Sequence, residues 1–287
     1  MQYSANLFQL LRCWWFGLYK QPQGRLVSYL SLIVVGLVLG ITTPARSTEV
    51  EIRVAVEDKA TVLTVGASTN ASVVTPQGQV LGSLRAMQEN LVKVENQQLR
   101  LGNLQAPSWV WLVPAKNGAV YVGDRWYRGR LMLIPQGKRL LAVNYVPLEH
   151  YLYSVVGSEM PPGWPMEALK AQAVAARSYG LAHRFRPASP WYDLGDTERW
   201  QVYKGLTSEW NSTHAAVNAT RGQVLIYGNG LVEAMYAASD AIIREVFGGL
   251  GMSQQGAYQL AARGVDYRRI LGSFYPGTGL SLIQTRR

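Results

Sequence analysis

The sequence predicts an α+β fold, in which a β-rich N-terminal part leads into a pair of helices packed on short β-strands. Three observations carry that expectation. Residues 49–113 alternate apolar and polar side chains in short runs. Residues 127–146 read as a hairpin. After Pro147 and again after Pro165 the apolar spacing changes to that of a helix. The composition suits a folded domain, with 48% hydrophobic and 16% charged residues in a chain of 287.

The chain opens with a basic stretch and then an uncharged apolar run, Leu26 to Ile41, followed by Ala45-Arg46-Ser47, which resembles a small-x-small cleavage site. The run is shorter than the roughly 20 residues of a usual spanning helix. Trp14, Trp15 and Phe16 ahead of it suit a membrane interface. Residues 1–47 are therefore expected to be either a secretory signal peptide or a retained membrane anchor. Either way the basic flank places the remainder in the periplasm or on the extracytoplasmic face of the cytoplasmic membrane.

Residues 48–120 are expected to form a β-rich subdomain. EIRVAVED and ATVLTVGAS read as strands, and VVTPQGQVLGSL as a strand, a turn and a strand. Nothing in this part resembles a catalytic cluster. Trp109, Trp111, Trp126 and Tyr127 suit either a core or a sugar-stacking face. The second domain is expected to span 121–287. It opens with YRGRLMLIP, the turn QGK and RLLAVNYV, a hairpin that leads into Pro147 at a helix start.

The first helix carries Leu148, Leu152 and Val155 on one stripe, with Glu159 continuing that stripe. A carboxylate there sits at the edge of a core, where desolvation and the negative end of the helix raise its pKa. A group that keeps its proton near neutral pH can act as a general acid. Met160-Pro161-Pro162 ends the helix. In the next helix Lys170, Arg177 and Arg184 recur every seven residues, as one basic stripe that is either solvated or turned toward Glu159 or an anionic substrate.

Other chemistries find little support. The lone cysteine, Cys13, precedes the apolar run, so the folded part has no thiol for a disulfide or a zinc site. His150, His183 and His214 have no metal-ligand spacing, and no metal or other cofactor is expected. No serine lies in a G-x-S-x-G elbow. FGGLGMSQQGA lacks the ending of a phosphate loop and reads as a loop feeding a helix that stops at Gly264. The net charge of +10 favours solubility or a polyanionic partner. Nucleic acid is not expected, because no aromatic–basic module accompanies the charge.

The string VPLEHYLYSVVGSEMPPGWPMEALKAQAVAARSYGLAHR closely resembles the core motif of the SpoIID/LytB family. YDLGDTERWQVYKG, AVNATRGQVLIYGNGLVEAMY and GMSQQGAYQLAARG follow in the family's order. The resemblance implies a SpoIID-like domain that binds peptidoglycan glycan strands. It implies a lytic transglycosylase with Glu159 as its single acid/base. A cell-wall amidase is a further implied partner, and the membrane another if the N-terminal segment is uncleaved. The resemblance also implies substrate or support roles for Lys170, Arg177, Tyr192, Asp193, Gln201, Tyr203, Ser253 and Gln254, with Asp196 and Thr197 beside them.

Two departures keep a second reading open, that of a non-catalytic wall-binding or amidase-enhancing module. Some family members carry a metal-associated His-Cys pair where this chain has Arg199-Trp200. The domain is also shortened between 240 and 250, and Gly248 stands where the family usually has histidine.

Overall fold

The computed structural model describes residues 49–283; the signal or anchor expected over 1–47 lies outside the described residues. The N-terminal half is all β: β1 (Glu51–Glu57), β2 (Val62–Ala67), β3 (Ala71–Val74), β4 (Val80–Leu84), β5 (Asn90–Glu95), β6 (Gln98–Leu101), β7 (Leu104–Ala106), β8 (Val110–Pro114), β9 (Ala119–Val122), β10 (Arg125–Arg128), β11 (Arg130–Gln136) and β12 (Arg139–Pro147). Then come α1 (Leu148–Glu159), α2 (Met166–Phe185), the two-residue β13 (Leu194–Gly195), a 3-10 turn (Gly205–Ser208) and α3 (Asn211–Ala219). The chain closes with β14 (Gln223–Tyr227), β15 (Gly230–Leu231), β16 (Tyr236–Ala237), α4 (Asp240–Phe247), β17 (Met252–Ser253), α5 (Gln254–Ala262), α6 (Tyr267–Phe274) and β18 (Gly279–Leu282). The architecture is α+β.

Two sheets make the β part, one in the order β13-β1-β12-β11-β8-β3-β4 and one in the order β10-β9-β2-β5-β6-β7. They pack face to face over Leu63, Val65, Val92, Leu99, Leu131 and Leu133. The hairpin β11–β12 is buried on both faces. Leu131, Leu133, Leu140 and Ala142 point into the shared core, while Met132, Ile134, Leu141 and Val143 form a second patch under Trp109, Trp111, Tyr145, Trp191 and Tyr192. That is why RLMLIP and LLAVNYV read as unbroken apolar runs. Tyr127 is core, whereas Trp109, Trp111 and Trp126 remain partly exposed. The strands expected over 49–113 are all present, and Gly78 supplies the left-handed residue of the β3–β4 turn (φ 85°).

The helices are joined to one another through a buried ion pair. Arg177 donates from Nε to one oxygen of Glu149 (3.0 Å) and from a terminal nitrogen to the other (2.7 Å). Its remaining donors reach the carbonyls of Ala173, Val217 and Gln223, and Glu149 also accepts from the Gly222 amide. The basic stripe expected on α2 is thus divided by its surroundings. Arg177 is fully buried, Lys170 pairs with Glu167 at 2.7 Å and Arg184 is exposed. Heptad spacing puts the three on one line but cannot tell which part of that line a neighbour covers. Arg177 is therefore a packing residue here, turned toward Glu149 and away from Glu159 and solvent.

Removing one member of a buried pair leaves the other charge uncompensated. Arg177→Ala is expected to lower stability by about 3–5 kcal/mol in urea denaturation. Lys170→Ala, which breaks only a half-exposed pair, should cost under about 1 kcal/mol. Equal losses from both variants would contradict this assignment.

Candidate active site around Glu159

Glu159 is the last residue of α1, and Met160 leaves the helix in an extended conformation. Two features hold this end of the helix. At Gly157 the 3-10 turn comes so close that a Cβ would lie 2.0 Å from the Ser208 carbonyl oxygen, so only glycine fits. Ser154 and Ser158 then each meet the Ser208 hydroxyl at 2.9 Å.

The carboxylate faces the loop before that turn. The Val202 amide donates to one oxygen (2.9 Å) and the Gln254 side chain to the other (3.2 Å). The Tyr236 hydroxyl also acts on the carboxyl and lowers its pKa. Burial nevertheless outweighs these donors and raises the pKa above the usual carboxylate value, with the nearby charge of Glu198 pushing in the same direction. Burial thus favours the protonated form, while the donors from Val202 and Gln254 favour the anion.

Gln201 braces the surroundings of Glu159 from inside the protein. It is fully buried, accepts from the Tyr151 hydroxyl (2.9 Å) and donates to the Ala176 carbonyl (3.2 Å) and to the Tyr236 hydroxyl (2.9 Å). One amide thus ties α1, α2 and β16 together around Glu159. Tyr203 is also buried; its hydroxyl donates to Asn144, whose amide holds the carbonyls of Arg128 and Arg130.

Of the residues expected at the site, only Gln254 and the Gln201–Val202 loop meet Glu159 or its donors. Ser253 is buried and caps α5 by accepting from the Gly256 amide. Asp193 is fully buried and bound to Arg53, through its guanidinium (2.6 and 2.8 Å) and its main-chain amide (2.9 Å). It serves as a loop anchor, not as a surface group. Lys170 lies over the Tyr267 ring at the start of α2. Tyr192, Asp196 and Thr197 line a separate cleft. Tyr236 and Val202 were not singled out from the sequence. A tyrosine looks like any core aromatic there, and a backbone amide leaves no trace in residue type.

The surroundings of the two family departures are also visible. Gly248 is the exposed left-handed residue ending α4 (φ 61°), a helix of only eight residues. Trp200 lies across Gly195 and meets His183 edge-on at 5.2 Å.

A raised carboxyl pKa makes ionisation of Glu159 costly to the folded state. Below the unfolded value of 4.5 both states are protonated and the cost vanishes; above the folded value it is fully present. Glu159→Gln should therefore gain stability over wild type as pH rises from 4 to 8. Melting curves in which the gap stays constant or shrinks over that range would refute the assignment.

The family model for SpoIID, stage II sporulation protein, matches residues 136–227. An uncharacterized protein of Brachyspira hyodysenteriae is 39% identical over 113 residues, which cover 39% of this chain and 31% of the relative. The amidase enhancer of Bacillus subtilis is 43% identical over 90 residues, 31% of this chain and 12% of the relative. Stage II sporulation protein D of Bacillus amyloliquefaciens is 40% identical over 113 residues, 33% of this chain and 32% of the relative. The chain thus spans no more than 32% of the length of these relatives. The matched stretch runs from the β11–β12 turn to the end of β14 and contains Glu159, Gln201 and Val202. Residues 136–227 of the chain therefore match the SpoIID family.

Proposed function

We propose that this chain is an exported lytic transglycosylase that cleaves peptidoglycan glycan strands outside the cytoplasmic membrane, with Glu159 as its single acid/base. The observation that carries the reading is Glu159 itself, a buried carboxyl with a raised pKa at a helix end, facing the donors of Val202 and Gln254. Glycosidases that use water need two carboxylates. Here Asp193 is bound to Arg53, and no hydrogen bond joins Asp196 to Glu159 among the described residues.

A lytic transglycosylase does without the second carboxylate. Protonated Glu159 gives its proton to the glycosidic oxygen as the C1–O bond breaks. The muramoyl O6 hydroxyl forms a bond to C1, and Glu159 takes the proton that this hydroxyl loses. The product is a 1,6-anhydro end, and no water is consumed. A raised pKa suits a group that must act in both directions, and the donors from Val202 and Gln254 stabilise the anionic intermediate stage.

A second reading is favoured by the short connection from β16 through α4 to β17, and by the likeness to a protein named as an amidase enhancer. In that reading the domain holds glycan, or serves a wall amidase, without cutting.

Mass spectrometry of purified glycan strands separates the two. Wild type is expected to release anhydro-ended fragments, and Glu159→Gln to lose at least about a hundredfold in rate, the scale of a general acid's contribution. Absence of fragments from both proteins, with glycan retained in a pull-down, would replace the enzyme reading with the binding one. Tyr236→Phe removes a hydroxyl that lowers the Glu159 pKa and so raises that pKa further. Since the first step needs protonated Glu159, the alkaline limb of the pH–rate profile should move to higher pH. An unmoved limb would show that Tyr236 does not tune the acid.

A further inference from the structure

Gln172 lies in the middle of α2 and is fully buried. Among the described residues neither its amide nitrogen nor its carbonyl oxygen has a hydrogen-bond partner. Its neighbours Ala171, Ala173, Val174, Ala175 and Ala176 are apolar and equally buried. A buried amide with both ends unpaired weakens a fold, and such groups are rare in folded proteins.

Helical spacing says what this amide faces. Gln172, Ala176, Tyr179 and His183 recur at i, i+4, i+7 and i+11 and share one face of α2. That face meets the surroundings of Glu159. The Ala176 carbonyl accepts from Gln201, and the Tyr179 ring lies edge-on to Tyr236 at 6.4 Å. The charge of Glu159 also bears on Tyr179. Helix α5, which packs on α2, begins with Gln254, the side chain that donates to Glu159. Two glutamines thus back the same centre under opposite conditions. Gln201 is locked by three hydrogen bonds, whereas no bond holds the Gln172 amide in one orientation.

We propose that Gln172 is a positioning residue of this site, whose amide turns to donate to Glu159 when that carboxyl ionises. An ionised carboxylate has about four acceptor positions. The Val202 amide and the Gln254 side chain fill two of them. A charge that appears in a dry site attracts a dipole that is able to rotate, and the amide gains the partner it lacks. The ionisable groups around Glu159 leave this role open. Tyr151 of α1, Tyr179 of α2 and Tyr236 of β16 are phenols that burial pushes above their usual value, so they stay neutral. Glu198 is the charge that bears on Glu159, and it opposes ionisation.

The inference rests on Glu159 as the acid of the site, but its test needs no turnover, so the two readings fail on different measurements. The full chain is labelled with carboxyl-13C glutamate, and the Glu159 resonance, assigned by its loss in Glu159→Gln, is titrated by NMR. Gln172→Met keeps the size of the side chain and removes the amide. The titration midpoint is expected to rise by about one pH unit, a tenfold change in the ionisation constant and the scale of one charged hydrogen bond. The melting temperature at pH 4, where Glu159 is protonated, should rise as well, because an unpaired amide has been replaced by an apolar group. Gln172→Asn keeps the amide but withdraws it by one methylene, and should raise the midpoint in the same direction. Val174→Ala, a buried change on another face of α2, should lower the melting temperature and leave the midpoint within about 0.2 units. A midpoint that stays put in both Gln172 variants, or moves as far in Val174→Ala, overturns the proposal and leaves Gln172 a packing residue.

Discussion

The buried pair of Arg177 and Glu149 is the constraint on which the helical half depends. Each is on a different helix, and neither can be removed from water without the other. The guanidinium also collects carbonyls from α2, α3 and β14, while the carboxylate takes the amide of Gly222. These contacts satisfy the charges and fix the spacing and roll of α1 against α2. Because α1 is buried along nearly its whole length, its roll decides where its last residue points. Glu159 is thus aimed from one end of the helix by an ion pair near the other, and held at its own end by the Gly157–Ser208 contact.

Around Glu159 the same economy recurs with neutral groups. Gln201 has its carbonyl oxygen and its amide nitrogen occupied by Tyr151, Ala176 and Tyr236, so it has no freedom to reach a substrate. Its function is to hold Tyr236 and the backbone of Val202 in place, and these in turn address the carboxylate. A polar network that is fully satisfied is rigid, and rigidity is what a site needs if its donors are to be in position before charge develops.

Much of this was legible in the sequence, and the gaps have physical reasons. The hairpin, both long helices and the placing of Glu159 at a helix end followed from apolar spacing and proline positions, which report local conformation directly. The fate of Arg177 did not follow, because helical periodicity gives the face of a residue and not what covers it. Asp193, Gln201 and Tyr203 were expected near substrate on the strength of resemblance, yet each is buried and bonded to a partner far along the chain, Arg53, Tyr236 and Asn144 respectively. A motif marks residues that a site needs without separating those that touch ligand from those that hold the touching ones. Helix α4 escaped notice because it is short and lies between glycine-rich and turn-like segments. The Val202 amide at Glu159 leaves no trace in residue type, and Tyr236, which lowers the carboxyl's pKa, lies in an apolar run.

The departures from the family pattern bear on these arguments in a specific way. Arg199 and Trp200 stand where some family members have a metal-associated pair, in the loop that brings Val202 to Glu159. Here that loop is held by other means. Trp200 packs across Gly195 and against His183, the Tyr203 amide is bonded to Asp196, and Asp193 clamps the preceding segment to β1 through Arg53. Gly248, in place of a histidine, ends α4 in a left-handed turn and makes no contact with the carboxylate or its donors. Both changes therefore fall outside the groups that set the protonation of Glu159. The Val202 amide is thus brought to Glu159 by packing and hydrogen bonds within the protein's own loop.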